Sequence, residues 1–495
     1  MYAKIGSCQE FFFAIKNTIW NSIFFVIIYS NEKGMIPMKK EQMQEYLNLA
    51  LSTGADFAEI YYEETKNKNY HLVDSKLDSI GNTNDIGVGI RIVKGEESYY
   101  TSTNDLSNEN ITNMIRNMIE TFPKGEGRKV ELTEFVDKRK KAKIPHDEYP
   151  VEKKKELLYK IDRIARSCSD EISQVSVGII EMDREYILAN SSSKYVASNT
   201  FLTRIFTSVY AERGERKEQE SIDFAGSVGY ELLDTISLEE QITKTAHTAV
   251  EKLTSIDFKG GELPVVIAPG FGAVIFHEAC GHGLEATSVA PHLSVFSDDF
   301  GKKIASDKVT LIDDGTILDA WGSFPFDDEG NASMKNILIE NGVLKKYLVD
   351  QFHTNQMKMD ANGCGRRQNY RYSTTSRMSN TYLAKGTDKV EDMIKSIDFG
   401  VYCEKMSGGS VNPATGDFNF AVDTARLIEN GEVKDLLKGI TLIGNSKDIL
   451  QNVEMVSDDL VLSAGFCGSK SGMIPVTIGQ PTIKVSKILV GGKES

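Results

Sequence analysis

The stretch LPVVIAPGFGAVIFHEACGHGLEA, Leu263 to Ala286, sets the architecture of the second half of the chain. LPVVIAP is a continuous apolar run closed by Pro269-Gly270, the pattern of a buried strand that ends in a turn. The turn delivers the chain into a segment carrying His277, Glu278 and His282. Two imidazoles with a carboxylate beside them are the parts of a zinc site that has its own general base. The helical zinc-protease pattern places its second histidine four residues after the first. Here the gap is five. On a regular helix, positions i and i+4 differ by about 40° around the axis, and i and i+5 by about 140°. If the two rings share an ion, the backbone must deviate between them. A single π-type turn would do this. So would a helix that ends at Cys280-Gly281, with His282 in the turn that follows. Gly281 suits either path.

A catalytic zinc takes three protein ligands and a water. His277 and His282 supply two, and Glu278 is the candidate base. Cys280, Glu285, His292 and Cys467 are candidates for the third, and spacing does not choose among them. Cys467 sits in SAGFCGSKSGM, Ser463 to Met473, where small residues would let a thiolate approach an ion. The same piece lacks the G-x-x-x-x-G-K-S/T order of a phosphate loop, no G-x-G-x-x-G opens a helix, and no G-x-S-x-G elbow is present. Nucleotide-cofactor and serine-hydrolase chemistry are therefore not indicated. GRRQNYRYSTTSRMSNTYL, Gly365 to Leu383, is a basic-aromatic patch in an acidic protein. Arg366, Arg367 and Tyr370 are its candidate substrate-binding residues, able to hold the carboxylates or carbonyls of a peptide. The equally weighted reading is a strand paired to Asp327-Asp328-Glu329.

Further out, 495 residues suffice for two to four domains. A formal net charge of −14, with Lys138-Arg139-Lys140-Lys141 as the one sustained basic run, argues for no nucleic acid partner. Six cysteines without short spacing indicate a reducing, cytoplasmic compartment. Residues 1–37 hold FFFAIKNTIWNSIFFVIIYS, interrupted by Lys16, Asn17 and Asn21 and poor as a spanning helix. They are expected to lie outside the fold, with Met35 or Met38 as the start of the folded chain and a membrane anchor as the rival reading.

From Lys39, Met43, Tyr46, Leu47, Ala50 and Leu51 recur at helical spacing. Ala58, Ile60, Tyr62 and then Ile86, Val88, Ile90, Ile92 alternate as strands. Lys124 to Lys143 is polar and reads as a loop or boundary. Leu157, Leu158, Ile161 and Ile164 mark a helix, and Val175 to Tyr210 several strands. Ser237 to Glu240 has the form of a capping box before another helix. Beyond Gly260 the chain reads mostly as β, with two Asn-Gly hairpins at Asn341-Gly342 and Asn430-Gly431. The expected fold class is α+β: a mixed α/β N-terminal domain over 38–255 and a β-rich catalytic domain over 256–495 that carries the metal site.

These motifs, in this order, resemble the TldD/PmbA family of metallopeptidases. The resemblance runs from about Met38 to the C-terminus. It rests on GADFAEIYYEE, VVIAPGFGAVIFHEACGHGLEA, DDGT…WGSFPFDDEG, NGCGRRQNYRYSTTSRMSNT, SGGSVNPATGDFNF and SAGFCGSKSG. With its H-E-x-x-x-H intact, the chain is similar to the TldD, metal-bearing, branch. The resemblance implies a Zn2+ peptidase acting on unfolded or small peptides. It implies metal ligands at His277, His282 and Cys467, with Glu278 as the catalytic base. It also implies a homodimer, or a heterodimer with a paralogous PmbA/TldE-like subunit. A regulatory subunit with a structural metal, and a zinc hydrolase of non-peptide amides, are the alternatives.

Overall fold

A computed structural model of the chain describes residues 38–137 and 142–492. The N-terminal stretch 1–37 and the basic run Lys138-Arg139-Lys140-Lys141 lie outside the described residues. The architecture is α+β, as expected.

The N-terminal half is built on a seven-stranded sheet. Its long antiparallel strands are Phe57–Val73, Lys76–Lys94, Ile172–Asn190 and Lys194–Arg213. Side chains alternate between the two faces of a strand, and here the faces meet different partners. Ala58, Ile60, Tyr62, Tyr70 and Leu72 line the face covered by helices. Lys40–Ala50 turns Met43, Tyr46, Leu47 and Ala50 inward, and Asn108–Ile119 packs beside it. Val151–Arg166 and Leu238–Lys252 cover the far end of the same face. The last of these begins where the capping-box pattern places it, yet the Ser237 side chain makes no capping hydrogen bond, because its backbone leaves the extended region usual for a cap (ψ 69). The polar stretch 124–143 is not wholly loop: Thr133–Val136 adds a short parallel edge strand to Lys194–Arg213.

The opposite face of the sheet presents Glu59, Tyr61, Glu63, Arg91 and Arg184 to the second half of the chain. There Arg91 pairs with Glu329 at 2.8 Å, Arg184 with Asp328 at 2.8 Å, and Arg367 with Glu59. Glu220 adds a further tie. It is buried between Lys252 at 2.6 Å and Lys405, and Thr424 donates to it at 2.9 Å.

The second half contains a six-stranded and an eight-stranded sheet. In the larger, Phe399–Val411 pairs with Gly260–Ile267, which pairs with Ile483–Gly491. The order continues through Thr441–Asn445 to Asp417–Glu429, which returns to pair with Phe399–Val411. Five strands thus close a ring, and the register shifts between Cys403 and Gly409 supply the bending that closure needs. The strand LPVVIAP lies in this ring, and Val265 and Ile267 face its core. Both Asn-Gly hairpins form. Asn341 and Gly342 (φ 48 and 82) and Asn430 and Gly431 (φ 53 and 74) adopt the left-handed pair of a two-residue turn. Among the described residues no helix is long and apolar enough to cross a membrane.

Candidate metal centre

Gly270, at φ 87, makes the turn after the buried strand. The chain then runs through Phe271–Ala273 into the short helix Val274–Ala279. Val274, Ile275, Phe276 and Ala279 enter the same core as Val265, Ile267, Val401 and Cys403. The helix stops at Cys280 (φ −121, ψ −54), and Gly281–Leu284 forms a separate 3-10 turn. The five-residue gap is therefore closed by ending the helix, not by a π-type turn. Gly281 does not take a left-handed backbone. Its role is space, since a Cβ there would lie 2.0 Å from Met378 Sδ.

The break brings His277 and His282 to a shared point. Their ring centroids are 5.1 Å apart and the planes are nearly perpendicular at 83°. Cys467 joins them from the strand Val461–Ser469, 185 residues beyond His282, with Sγ 3.3 Å from His282 Nε2. The ligating atoms of His277, His282 and Cys467 all lie within 4.8 Å of one another. Among the described residues no other group of three His, Cys, Asp or Glu side chains converges in this way. The other nitrogen of His282, Nδ1, meets Glu285 Oε2 at 3.1 Å. Glu278 Oε2 stands 3.7 Å from His282 Nε2, on the same side of the ring as Cys467.

The electrostatics favour a thiolate. Burial raises the Cys467 pKa, but the neighbouring His277 and His282 outweigh it and bring the thiol down to about 3. Burial pulls His282 the other way from Glu285 and Cys467, and those two anions win, raising it well above the usual imidazole range. His277 Nδ1 and Glu285 Oε1 are buried without a hydrogen-bond partner. Unsatisfied buried polar atoms are costly, and these two belong to one ring of the pair and to the carboxylate that holds the other. Two imidazoles and a sulfur suit a borderline-soft cation such as zinc, and Glu285 stands where an outer carboxylate orients a ligating histidine.

The other candidates fall elsewhere. Cys280 is buried in the core, where desolvation pushes its thiol up. His292 is exposed beside Asp298 at 3.6 Å. The basic-aromatic patch folds inward. Arg367 is fully buried on Glu59 and the Asp328 carbonyl. Tyr370 is buried against the N-terminal sheet and donates to Asp85 at 3.1 Å. Arg366 donates to the carbonyls of Met378 and Pro475. These side chains make contacts within the chain, where the face they meet carries its own acids, and Arg366 and Arg367 also line a cavity with Arg184, Asp328 and Phe466. Sequence reasoning did not find a role for Arg377, whose guanidinium donates to the Cys467 carbonyl at 2.6 Å. Its basic type was visible, but not its burial.

The sequence matches three successive family profiles: PmbA/TldA metallopeptidase domain 1 over residues 58–121, the central domain over 144–255 and the C-terminal domain over 260–492. It is 33% identical to a metalloprotease TldD homolog of Buchnera aphidicola over 450 residues, 88% of this chain and 93% of that protein. It is 31% identical to the metalloprotease TldD homolog of Haemophilus influenzae, again over 88% of this chain and 93% of that one. A protein of Saccharolobus solfataricus named zinc metalloprotease TldD homolog is 27% identical, covering 91% of this chain and 100% of its own. In fold, the chain is similar to TldE from Thermococcus kodakarensis (TM-score 0.73, 20% identity, 91% of this chain and 100% of that one). A Thermotoga maritima structure, described as a candidate modulator of a DNA gyrase, scores 0.75 at 20% identity over 91% and 99% of the two chains.

Proposed function

This chain belongs to the PmbA/TldD family of metallopeptidases, and from that premise we propose that it is a zinc peptidase cleaving unfolded polypeptides or small peptides. The ligands are His277, His282 and Cys467, and Glu278 is the base. The observation that carries this reading is the convergence of two imidazoles and a distant sulfur within 4.8 Å, with the Glu278 carboxylate 3.7 Å from one of those rings. Zinc bound there would polarise the scissile carbonyl and lower the pKa of a water molecule. Glu278 takes the proton from the attacking water and returns it to the leaving amine nitrogen. Glu285 accepts from His282 Nδ1 and so keeps the Nε2 lone pair facing the gap. Cys467 contributes its thiolate from the edge strand of the six-stranded sheet. An edge strand can also take an extended peptide by main-chain hydrogen bonds, which gives affinity with little side-chain preference. Residues 38–255 and 256–495 act as an N-terminal and a catalytic domain. The molecule works in a reducing cytoplasm, paired with a second copy or with a TldE-like paralogue.

The test is metal content measured alongside chelator-sensitive hydrolysis of a denatured protein, on wild type and Cys467→Ala. One zinc per chain and activity lost with the metal are expected for wild type, and neither for the variant. Full peptidase activity in a metal-free preparation would overturn the reading, as would a chain that binds zinc yet cleaves no peptide, alone or with its paralogue.

A further inference from the structure

The hairpin that brings Cys467 to the histidines is a projecting element. Its first arm, Val461–Ser469, ends the six-stranded sheet and is laddered to its own return arm, Gly472–Gln480. The return arm joins the body of the sheet through parallel pairing of Asn380, Thr381 and Tyr382 with Thr477, Ile478 and Gly479. Thr477 N donates to Ser379 O at 3.0 Å. The next rung toward the hairpin tip would start from residue 475, which is proline and has no N–H. Cys467, opposite Ile474, therefore lies beyond the last rung that anchors its hairpin.

Two buried guanidiniums take over at that point. Arg366 bridges the gap after the last rung, donating to Met378 O at 2.7 Å and to Pro475 O at 2.8 Å. Arg377, with no exposed surface, donates to Cys467 O at 2.6 Å, Ser471 Oγ at 2.9 Å and Gly472 O at 3.0 Å. Among the described residues neither forms an ion pair, unlike Arg91, Arg184 and Arg367 nearby. Burying a guanidinium on neutral acceptors is a costly way to hold a fold together, and apolar packing would do it better. A guanidinium does offer a rigid planar fork that fixes several acceptors relative to one another. Here those acceptors are the ligand residue's own carbonyl and, where the chain turns back behind it, Ser471 and Gly472.

We propose that Arg377, backed by Arg366, is a positioning residue for the metal centre: it fixes the Cys467 main chain so that the thiolate meets the two imidazoles in one geometry. This rests on the reading of Cys467 as a ligand. Arg377 touches neither substrate nor ion and acts through the hairpin.

The experiment uses the full chain and two readouts besides activity. One is the zinc dissociation constant, by competition with a chromogenic chelator. The other is the thiolate charge-transfer absorption of the cobalt-substituted protein. Arg377→Lys should weaken zinc binding about 10- to 100-fold, the range for partners that orient metal ligands, and shift or weaken the thiolate band. Ser471→Ala removes one of the three acceptors and should weaken binding about five-fold. Wild-type affinity and an unaltered band in both variants would overturn the inference. If Arg377→Lys shows no cooperative melting, Ser471→Ala decides alone by the same criterion. Cys467→Ser separates the two claims: wild-type zinc affinity in that variant would overturn the ligand reading itself, and this inference with it.

Discussion

Two buried regions of this molecule handle charge in opposite ways. At the junction between the N-terminal sheet and the second half, the cations meet carboxylates: Arg91 with Glu329, Arg367 with Glu59, Arg184 with Asp328, and Lys252 and Lys405 with Glu220. At the metal centre the accounts are left open. His277 Nδ1 and Glu285 Oε1 have no partner, Arg377 meets only carbonyls and a hydroxyl, and a thiolate faces two imidazoles. The junction pairs its charges within the chain, so it is architecture, although Glu59 Oε2 and Arg367 Nε there also lack a partner. At the centre, an unsatisfied donor set held rigid is what a cation would bind.

That contrast can be broken most sharply at Glu278. Glu278→Gln keeps the shape of the centre and removes only the proton acceptor. Peptide hydrolysis should fall about 10²- to 10⁴-fold while the zinc content, read by atomic absorption, stays at the wild-type level. An equal loss of zinc would make Glu278 part of the binding set instead. The junction should respond in stability, not in turnover per folded molecule. Glu59→Gln leaves Arg367 buried without its carboxylate and should cost about 3–5 kcal/mol in denaturant unfolding. A cost near zero would mean that the Asp328 carbonyl suffices for Arg367.

Glu220 sharpens the comparison through pH. Burial raises its pKa, but Lys405 and Lys252 overcome this and hold it at about 2, against 4.5 unperturbed. The folded state therefore favours the ionised form. This stability is fully present above pH about 4.5 and is lost as pH falls through about 2, amounting to about 3 kcal/mol. Melting curves of wild type and Glu220→Gln across that window should converge toward the acid end. The smallest expected effect lies in the turns. Gly342→Ala places a Cβ at φ 82 and 2.4 Å from the Ala305 carbonyl oxygen, and should cost about 1–3 kcal/mol. Gly439→Ala, with φ 67 but open space around it, should cost less.

Local features were the legible ones. Met43, Tyr46, Leu47 and Ala50 declare a helix because a 3.6-residue period survives in any context, and Asn341-Gly342 declares a turn because few other pairs tolerate two positive φ values. His277 and His282 are close in sequence, so their meeting and the need for a break could be read. What filled the break could not, since Gly281 answers to Met378, a residue distant in sequence. Cys467 was one of four candidates by residue type, and the family resemblance singled it out. No spacing rule spans 185 residues. The arginine patch was half legible for a related reason: pairing with acidic neighbours was one of two even readings, but sequence does not show that Glu59 waits for Arg367 on another sheet.

The halt of the helix at Cys280 has a practical consequence. His277 rides on a helix driven into the core, whereas His282 rides on a turn tied to a separate segment by an isolated bridge, where Leu348 N donates to Leu284 O and Ala286 N to Leu348 O. The two rings are thus carried by different elements that meet in one core, and the link between them is a short tether and not a ruler. A protein engineer could lengthen or shorten that tether to retune the angle between the rings, leaving both mountings undisturbed.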